Sequence, residues 1–221
     1  MADDLHNSHA WQQQEPLVLI VPEIERGGPD DWQSRWESKR TDCRRVDLGM
    51  WDTPHRNTWV NKLNLAIRRA DRPVLLVAHG LGCLAAAWWA EYERPAFGDP
   101  VLGALLVAPP DIDRPGLYPR LARFGSSPRQ ALPFASFLVA SHDDPLGSYR
   151  TARALARDWG SRFADAGAVG HIDAASALED WPFGEKLLAQ LLLEHRRAIE
   201  TAGTANRQQA ASRSPFAVAP R

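Results

Sequence analysis

The chain has 221 residues, 44% of them hydrophobic and 24% charged, with a formal net charge of −1. That size and composition suit one compact globular domain with room for a sizeable core. The near-neutral balance gives no electrostatic reason to expect nucleic acid or an anionic membrane as partner. The basic side chains are nearly all Arg, a skew that fits a GC-rich bacterial coding sequence. The two cysteines, Cys43 and Cys83, match neither a disulfide framework nor clustered metal ligands, so no metal and no cofactor is expected.

Residues 1–15 are polar, lack an apolar signal-peptide core, and read as a disordered leader on a cytoplasmic protein. Residues 17–21 form a short, wholly apolar run ended by Pro22, the pattern of a strand buried on both faces. A polar loop with Glu23, Ile24, Glu25 and Arg26 leads to Trp32 and Trp36, spaced to share one helical face. Residues 45–48 suggest a second, weaker strand. Trp59, Leu63, Ala66, Ile67 and Ala70 repeat at helical spacing behind Asn57 and Thr58, a polar start able to cap. Residues 74–78 form the next apolar strand, and a small-residue helix runs from Cys83 to Tyr92. Further strands are expected at 101–108, 137–140 and 162–164, with helices at 149–159 and 185–195.

Strands alternating with helices predict parallel βαβ units: an α/β three-layer sandwich around a mainly parallel, doubly wound sheet. The domain is expected to span 16–195. Residues 111–133, rich in Pro, Arg and Ser, read as an irregular excursion over the C-terminal edge of the sheet, where such folds place their sites. From 196 to 221 the composition turns to Ala, Gln, Ser, Arg and Pro and reads as a disordered tail. No run of residues is long and apolar enough to suggest a membrane span.

The first strand-to-helix turn of chemical interest is Ala78-His79-Gly80-Leu81-Gly82. A sharp turn between small flanks lifts one side chain above the sheet, beside a backbone N–H at a helix N-terminus. These five residues alone favour a glycine-rich turn without chemistry. Two later segments give them weight: Ser141-His142-Asp143-Asp144-Pro145 after one strand and Ala168-Val169-Gly170-His171 after the next. Elbow, acid and His then come in the order of an α/β-hydrolase triad.

With Trp32-Gln33-Ser34-Arg35-Trp36, Trp51-Asp52-Thr53-Pro54 and Gly170-His171-Ile172-Asp173-Ala174-Ala175-Ser176, these segments resemble the small YdeN-like serine hydrolases related to retinoblastoma-binding protein 9. The resemblance runs from about residue 17 to residue 193. It implies a compact α/β-hydrolase fold without a large lid and serine-dependent hydrolysis of acyl compounds. Carried over by position, His171 is the general base and Asp144 its orienting acid; Asp143 also comes after the strand, but Pro145 aligns better with Asp144. Gly80 falls on the nucleophile, so the serine is lost. Leu81, Glu23 and Ile24 fall at the oxyanion hole and pocket, where Glu23 and Glu25 replace small residues and oppose an oxyanion.

Outside that set, His79 and Cys83 read as packing residues and His142 as a surface residue. Two functions stand open. One is a pseudo-hydrolase whose pocket binds a small-molecule ester or acyl ligand, or a partner. The other is an active serine-type esterase, with Gly80 an engineered or erroneous substitution or with His171 activating a water. If the Asp144–His171 pair is intact, Gly80→Ser alone restores covalent labelling.

Overall fold

The computed structural model describes residues 14–24, 27–114 and 119–212, so the leader up to residue 13, Glu25, Arg26, residues 115–118 and the last nine residues lie outside the description. Six strands form one parallel sheet: β1 (Leu17–Val21), β2 (Cys43–Arg45), β3 (Val74–His79), β4 (Val101–Val107), β5 (Ala135–Ala140) and β6 (Arg162–Asp165), in spatial order β2-β1-β3-β4-β5-β6. This is the expected doubly wound α/β sandwich. The order reverses beside β1, so the crevice at the C-terminal ends of β1 and β3 is the switch point where such sheets bind ligands.

The continuous apolar runs arise from burial of the strands on both faces. Along β1, Leu17, Leu19 and Val21 enter one core while Val18 and Ile20 enter the other; β3 divides Val74, Leu76 and Ala78 from Leu75 and Val77 in the same way. The first core is closed by α2 (Arg56–Arg68), α3 (Leu81–Glu93) and α5 (Tyr149–Trp159). The second is closed by α1 (Trp32–Lys39) through Trp32 and Trp36, and by α6 (Pro182–Ser212) through Leu187, Leu188 and Leu191. Helix α4 (Pro119–Ala122) is a short piece within the 111–133 excursion.

Four local expectations need correction. Strand β2 begins at Cys43, ahead of the expected 45–48; Val46 and Leu48 are buried and Val46 still donates to the Ile20 carbonyl, but the ladder ends at Arg45. Helix α2 starts one residue early, at Arg56, and His55 stands at its N-cap without a side-chain bond, so neither Asn57 nor Thr58 caps it. Strand β6 extends one residue further, to Asp165, whose Cα pairs with Ala140. Helix α6 starts at Pro182 and runs through His195 to Ser212, because the Ala-, Gln-, Glu- and Arg-rich stretch that resembled a tail is also composed of good helix formers. Among the described residues no helix is long and apolar enough to cross a membrane.

Two bonds from α1 position the site. Asp31 caps α1 by accepting from the Gln33 N–H at 2.8 Å, which sets the entry of the Trp pair. The indole N–H of Trp32 then donates to the Ile172 carbonyl and that of Trp36 to the Asp180 carbonyl, each at 2.7 Å. The loop that carries His171 is thereby tied to the buried face of α1.

Candidate active site

The elbow has the geometry that its sequence suggests. Gly80 sits between β3 and α3 with φ 53° and ψ −122°, a backbone state that glycine adopts without a Cβ penalty. Its N–H donates to the Val107 carbonyl at 2.9 Å, continuing the ladder into the turn, and its carbonyl accepts from Cys83 at 3.1 Å. Gly82 is required for a different reason. A Cβ there would run into the carbonyl oxygens of Val21 and Pro22, so only glycine lets α3 pass this close to the end of β1.

Asp144 and His171 meet as the chain order suggests. The Nδ1 of His171 donates to both carboxylate oxygens of Asp144, at 2.9 and 3.0 Å. The Asp144 side chain is 2% exposed and also accepts from the Leu146 N–H at 2.8 Å. Asp143 is spent elsewhere: it accepts from Ser141 Oγ at 2.7 Å and from the Gly170 N–H at 2.8 Å, which lowers its carboxyl pKa and braces the His171 loop. The geometry therefore selects Asp144 over Asp143 as the partner of His171.

The other face of the imidazole departs from a serine triad. The Nε2 of His171 faces the Glu23 carboxylate, with Oε2 at 2.8 Å. A Cβ built on Gly80 would stand 2.5 Å from Cδ of Glu23 and 2.7 and 2.8 Å from its two oxygens. The carboxylate thus occupies the volume that a serine side chain at residue 80 would need. Gly80 and Glu23 are complementary in space: the carboxylate fills the volume beside the bare Cα.

The electrostatics are set by the carboxylates on either side of the ring. Burial pulls the His171 pKa down, but its hydrogen bonds to Asp144 and Glu23, together with their charges, outweigh it, and the pKa is pushed up to about 10. With a carboxylate on each nitrogen, both nitrogens act as donors and the ring is an imidazolium at neutral pH.

Leu81 opens α3, and its side chain is fully buried in the core, so only its backbone belongs to the turn. Glu23 and Ile24 line a cleft of about 530 Å³ together with His79, His171 and, from α4, Leu121. The 111–133 excursion thus contributes a wall of the site. Among the described residues no Lys or Arg lines the cleft, whereas Glu23, Asp31 and Asp173 do.

His79 is more than packing. Its Nε2 contacts the His171 carbonyl oxygen at 2.9 Å, its Nδ1 lies 3.9 Å from Glu23 Oε2, and the two imidazoles stand 5.0 Å apart. Its position next to the elbow apex was the available signal. Cys83, fully buried, directs its thiol to the Ala78 and Val107 carbonyls at 3.3 Å, and burial raises its pKa, so it is a core residue and no substitute nucleophile. His142 is exposed, bonded to Asp165 at 2.9 Å and away from the cleft residues.

Known proteins agree with this frame. A family model described as serine hydrolase matches residues 18–190. A solved structure described as a YdeN-like hydrolase from Pectobacterium atrosepticum superposes with a TM-score of 0.72 at 27% identity, over 88% of this chain and 99% of that one. The ydeN gene product of Bacillus subtilis superposes at 0.65 with 21% identity, over 80% and 98% of the chains, and shows likeness of fold. Est1E from Butyrivibrio proteoclasticus shares the fold at 0.62 with 13% identity, over 83% and 90%. No curated protein sequence matches this chain. The chain belongs to the serine hydrolase family, with the family's α/β-hydrolase fold and a glycine at the apex of its elbow.

Proposed function

We propose that this chain is a pseudo-hydrolase, whose cleft binds a small ester- or acyl-bearing molecule without forming an acyl-enzyme. The observation that supports this reading is the Glu23 carboxylate in the side-chain volume of residue 80, bonded to His171 Nε2. Acyl transfer through a serine needs a hydroxyl at the apex and a base within hydrogen-bond reach of it. Gly80 lacks the first, and Glu23 takes the reach of the second.

The same contact argues against a water-activating His171. A water acting as nucleophile would need both the Nε2 lone pair and the space above Gly80, and Glu23 occupies both. Acidic groups on the cleft wall further oppose a developing oxyanion, and they disfavour anionic ligands. The cleft volume, about 530 Å³, is ample for a small molecule.

The test is incubation of the natural protein with a fluorophosphonate probe and, separately, with a p-nitrophenyl ester. Intact mass should show no adduct, and turnover should not exceed that of His171→Ala. Removing the nucleophile from a working triad costs about 10⁶ in turnover, so a labelled residue in the cleft or burst kinetics would overturn the reading.

A further inference from the structure

We propose that Glu23, His79 and His171 form a binding site for a first-row divalent transition metal ion of the zinc class. The inference rests on Glu23 standing between Gly80 and His171 and is independent of whether the cleft turns anything over. One donor atom from each residue lies within 4.8 Å of the others. Glu23 Oε2 is 2.8 Å from His171 Nε2 and 3.9 Å from His79 Nδ1. Zinc–nitrogen and zinc–oxygen bonds are about 2.0–2.2 Å long, so two ligands of one tetrahedral ion stand about 3.4 Å apart. The Glu23 oxygen stands closer than that to one ring and slightly farther from the other, and all three donors lie within 4.8 Å, so shifts of the Glu23 carboxylate and of the imidazoles by about an ångström close the site.

The groups behind the two rings point the same way. A metal-binding imidazole donates its other N–H to a carboxylate or a carbonyl, which sets the tautomer and aims the free nitrogen. His171 does this through Nδ1, to Asp144. His79 does it through Nε2: the His171 carbonyl oxygen can only accept, so Nε2 donates, and in the neutral ring Nδ1 is the acceptor nitrogen, on the side of Glu23. Triad geometry requires the first of these bonds; the second also satisfies a buried ring nitrogen. A metal site accounts for both.

Without an ion, a proton bridges His171 Nε2 and Glu23. On binding, that proton leaves to solvent as bonds form from the ion to two nitrogens and one oxygen, and no oxidant or reductant is involved. Two imidazoles and one carboxylate suit zinc, cobalt or nickel, whereas magnesium and calcium prefer oxygen donors throughout. The side chains of His79 and His171 are 4% and 5% exposed, and that of Glu23 12%, so the cleft is the route of entry. Three protein ligands leave a coordination position open to water or to a cleft ligand.

The experiment uses full-length protein stripped with EDTA, titrated with zinc chloride by calorimetry and with cobalt chloride by visible absorption. The expected result is one ion per chain, bound in the micromolar range or tighter, with the strong d–d bands of a low-coordinate cobalt site. Glu23→Gln, which keeps the shape and removes the anionic donor, should weaken binding at least 100-fold. Asp144→Asn, acting only on the outer bond of His171, should weaken it about 10- to 100-fold. His142→Ala removes an exposed imidazole elsewhere and should leave binding unchanged. Absence of stoichiometric binding to the stripped protein would overturn the proposal. So would undiminished affinity in a folded Glu23→Gln or, should that variant not fold, in Asp144→Asn. Fluorophosphonate labelling of the stripped protein is read separately, so failure of the metal site and failure of the pseudo-hydrolase reading give different results.

Discussion

Placing a serine at residue 80 tests whether Glu23 fills the side-chain volume of that residue. In Gly80→Ser the new Cβ lies 2.5 Å from Cδ of Glu23, so the carboxylate must swing away from His171. That forfeits a charge-assisted hydrogen bond worth about 1.5–3 kcal/mol. Holding a non-glycine residue at φ 53° adds a strain of about 1–3 kcal/mol. The single variant should therefore lose roughly 2.5–6 kcal/mol, which at about 2–4 °C per kcal/mol for a domain of this size is a fall of roughly 5–24 °C in Tm. Glu23→Ala loses the hydrogen bond but carries no strain at residue 80. In the double variant the clash is gone and the hydrogen bond is counted once, so the losses should fall short of the sum by about 1.5–3 kcal/mol. Covalent labelling should obey the same logic: weak in Gly80→Ser, where Glu23 and the hydroxyl compete for His171, and strong when both changes are combined. This replaces the expectation that the serine alone suffices. Denaturant unfolding of the four proteins measures the cycle. Stabilities additive within about 0.5 kcal/mol would show that Glu23 does not fill the nucleophile's volume.

Packing and charge set two further outcomes. Gly82→Ala forces a Cβ onto the Val21 and Pro22 carbonyls, which are backbone and cannot rotate aside; it should cost about 1–3 kcal/mol or more, in contrast to Gly28→Ala, whose Cβ meets nothing and whose backbone is not in the left-handed region. The Asp165 carboxyl is held at about 2, against an ordinary 3.8, chiefly by the Gly167 N–H and then by His142 and Tyr149. A depressed pKa stabilises the fold above the ordinary value and loses that contribution as pH falls through the depressed one. The difference in Tm between natural protein and Asp165→Asn should accordingly shrink between pH 4 and pH 2, and a constant difference would contradict the assignment.

Much of the frame was legible because single physical rules produced it. The apolar runs of β1 and β3 exist because both faces are buried, and the order of elbow, Asp144 and His171 comes from parallel strands ending on one edge. β2 was misplaced because burial of Val46 and Leu48 mimics a strand where the ladder has already ended. The reach of α6 was hidden by composition: Ala, Gln and Arg serve a helix and a tail alike. The larger gap lay in the site. Gly80 and Glu23 are far apart in sequence and read as two separate losses, a missing nucleophile and a spoiled oxyanion loop. Their complementarity is one of volume, which no local pattern carries. His79 was passed over for a related reason, since its role depends on a carbonyl of the residue 171 loop and on Glu23, both remote in the chain.

The central claim, that the Glu23 carboxylate occupies the nucleophile's place on His171, is tested most directly by the imidazole nitrogen signals of ¹⁵N-His-labelled, EDTA-treated protein. At pH 7 both nitrogens of His171 should be protonated, since each faces a carboxylate and the pKa is pushed up to about 10. Glu23→Gln should perturb Nε2 while Nδ1 keeps its bond to Asp144. A His171 ring protonated only on Nδ1 at pH 7, with Nε2 unmoved by Glu23→Gln, would contradict the account.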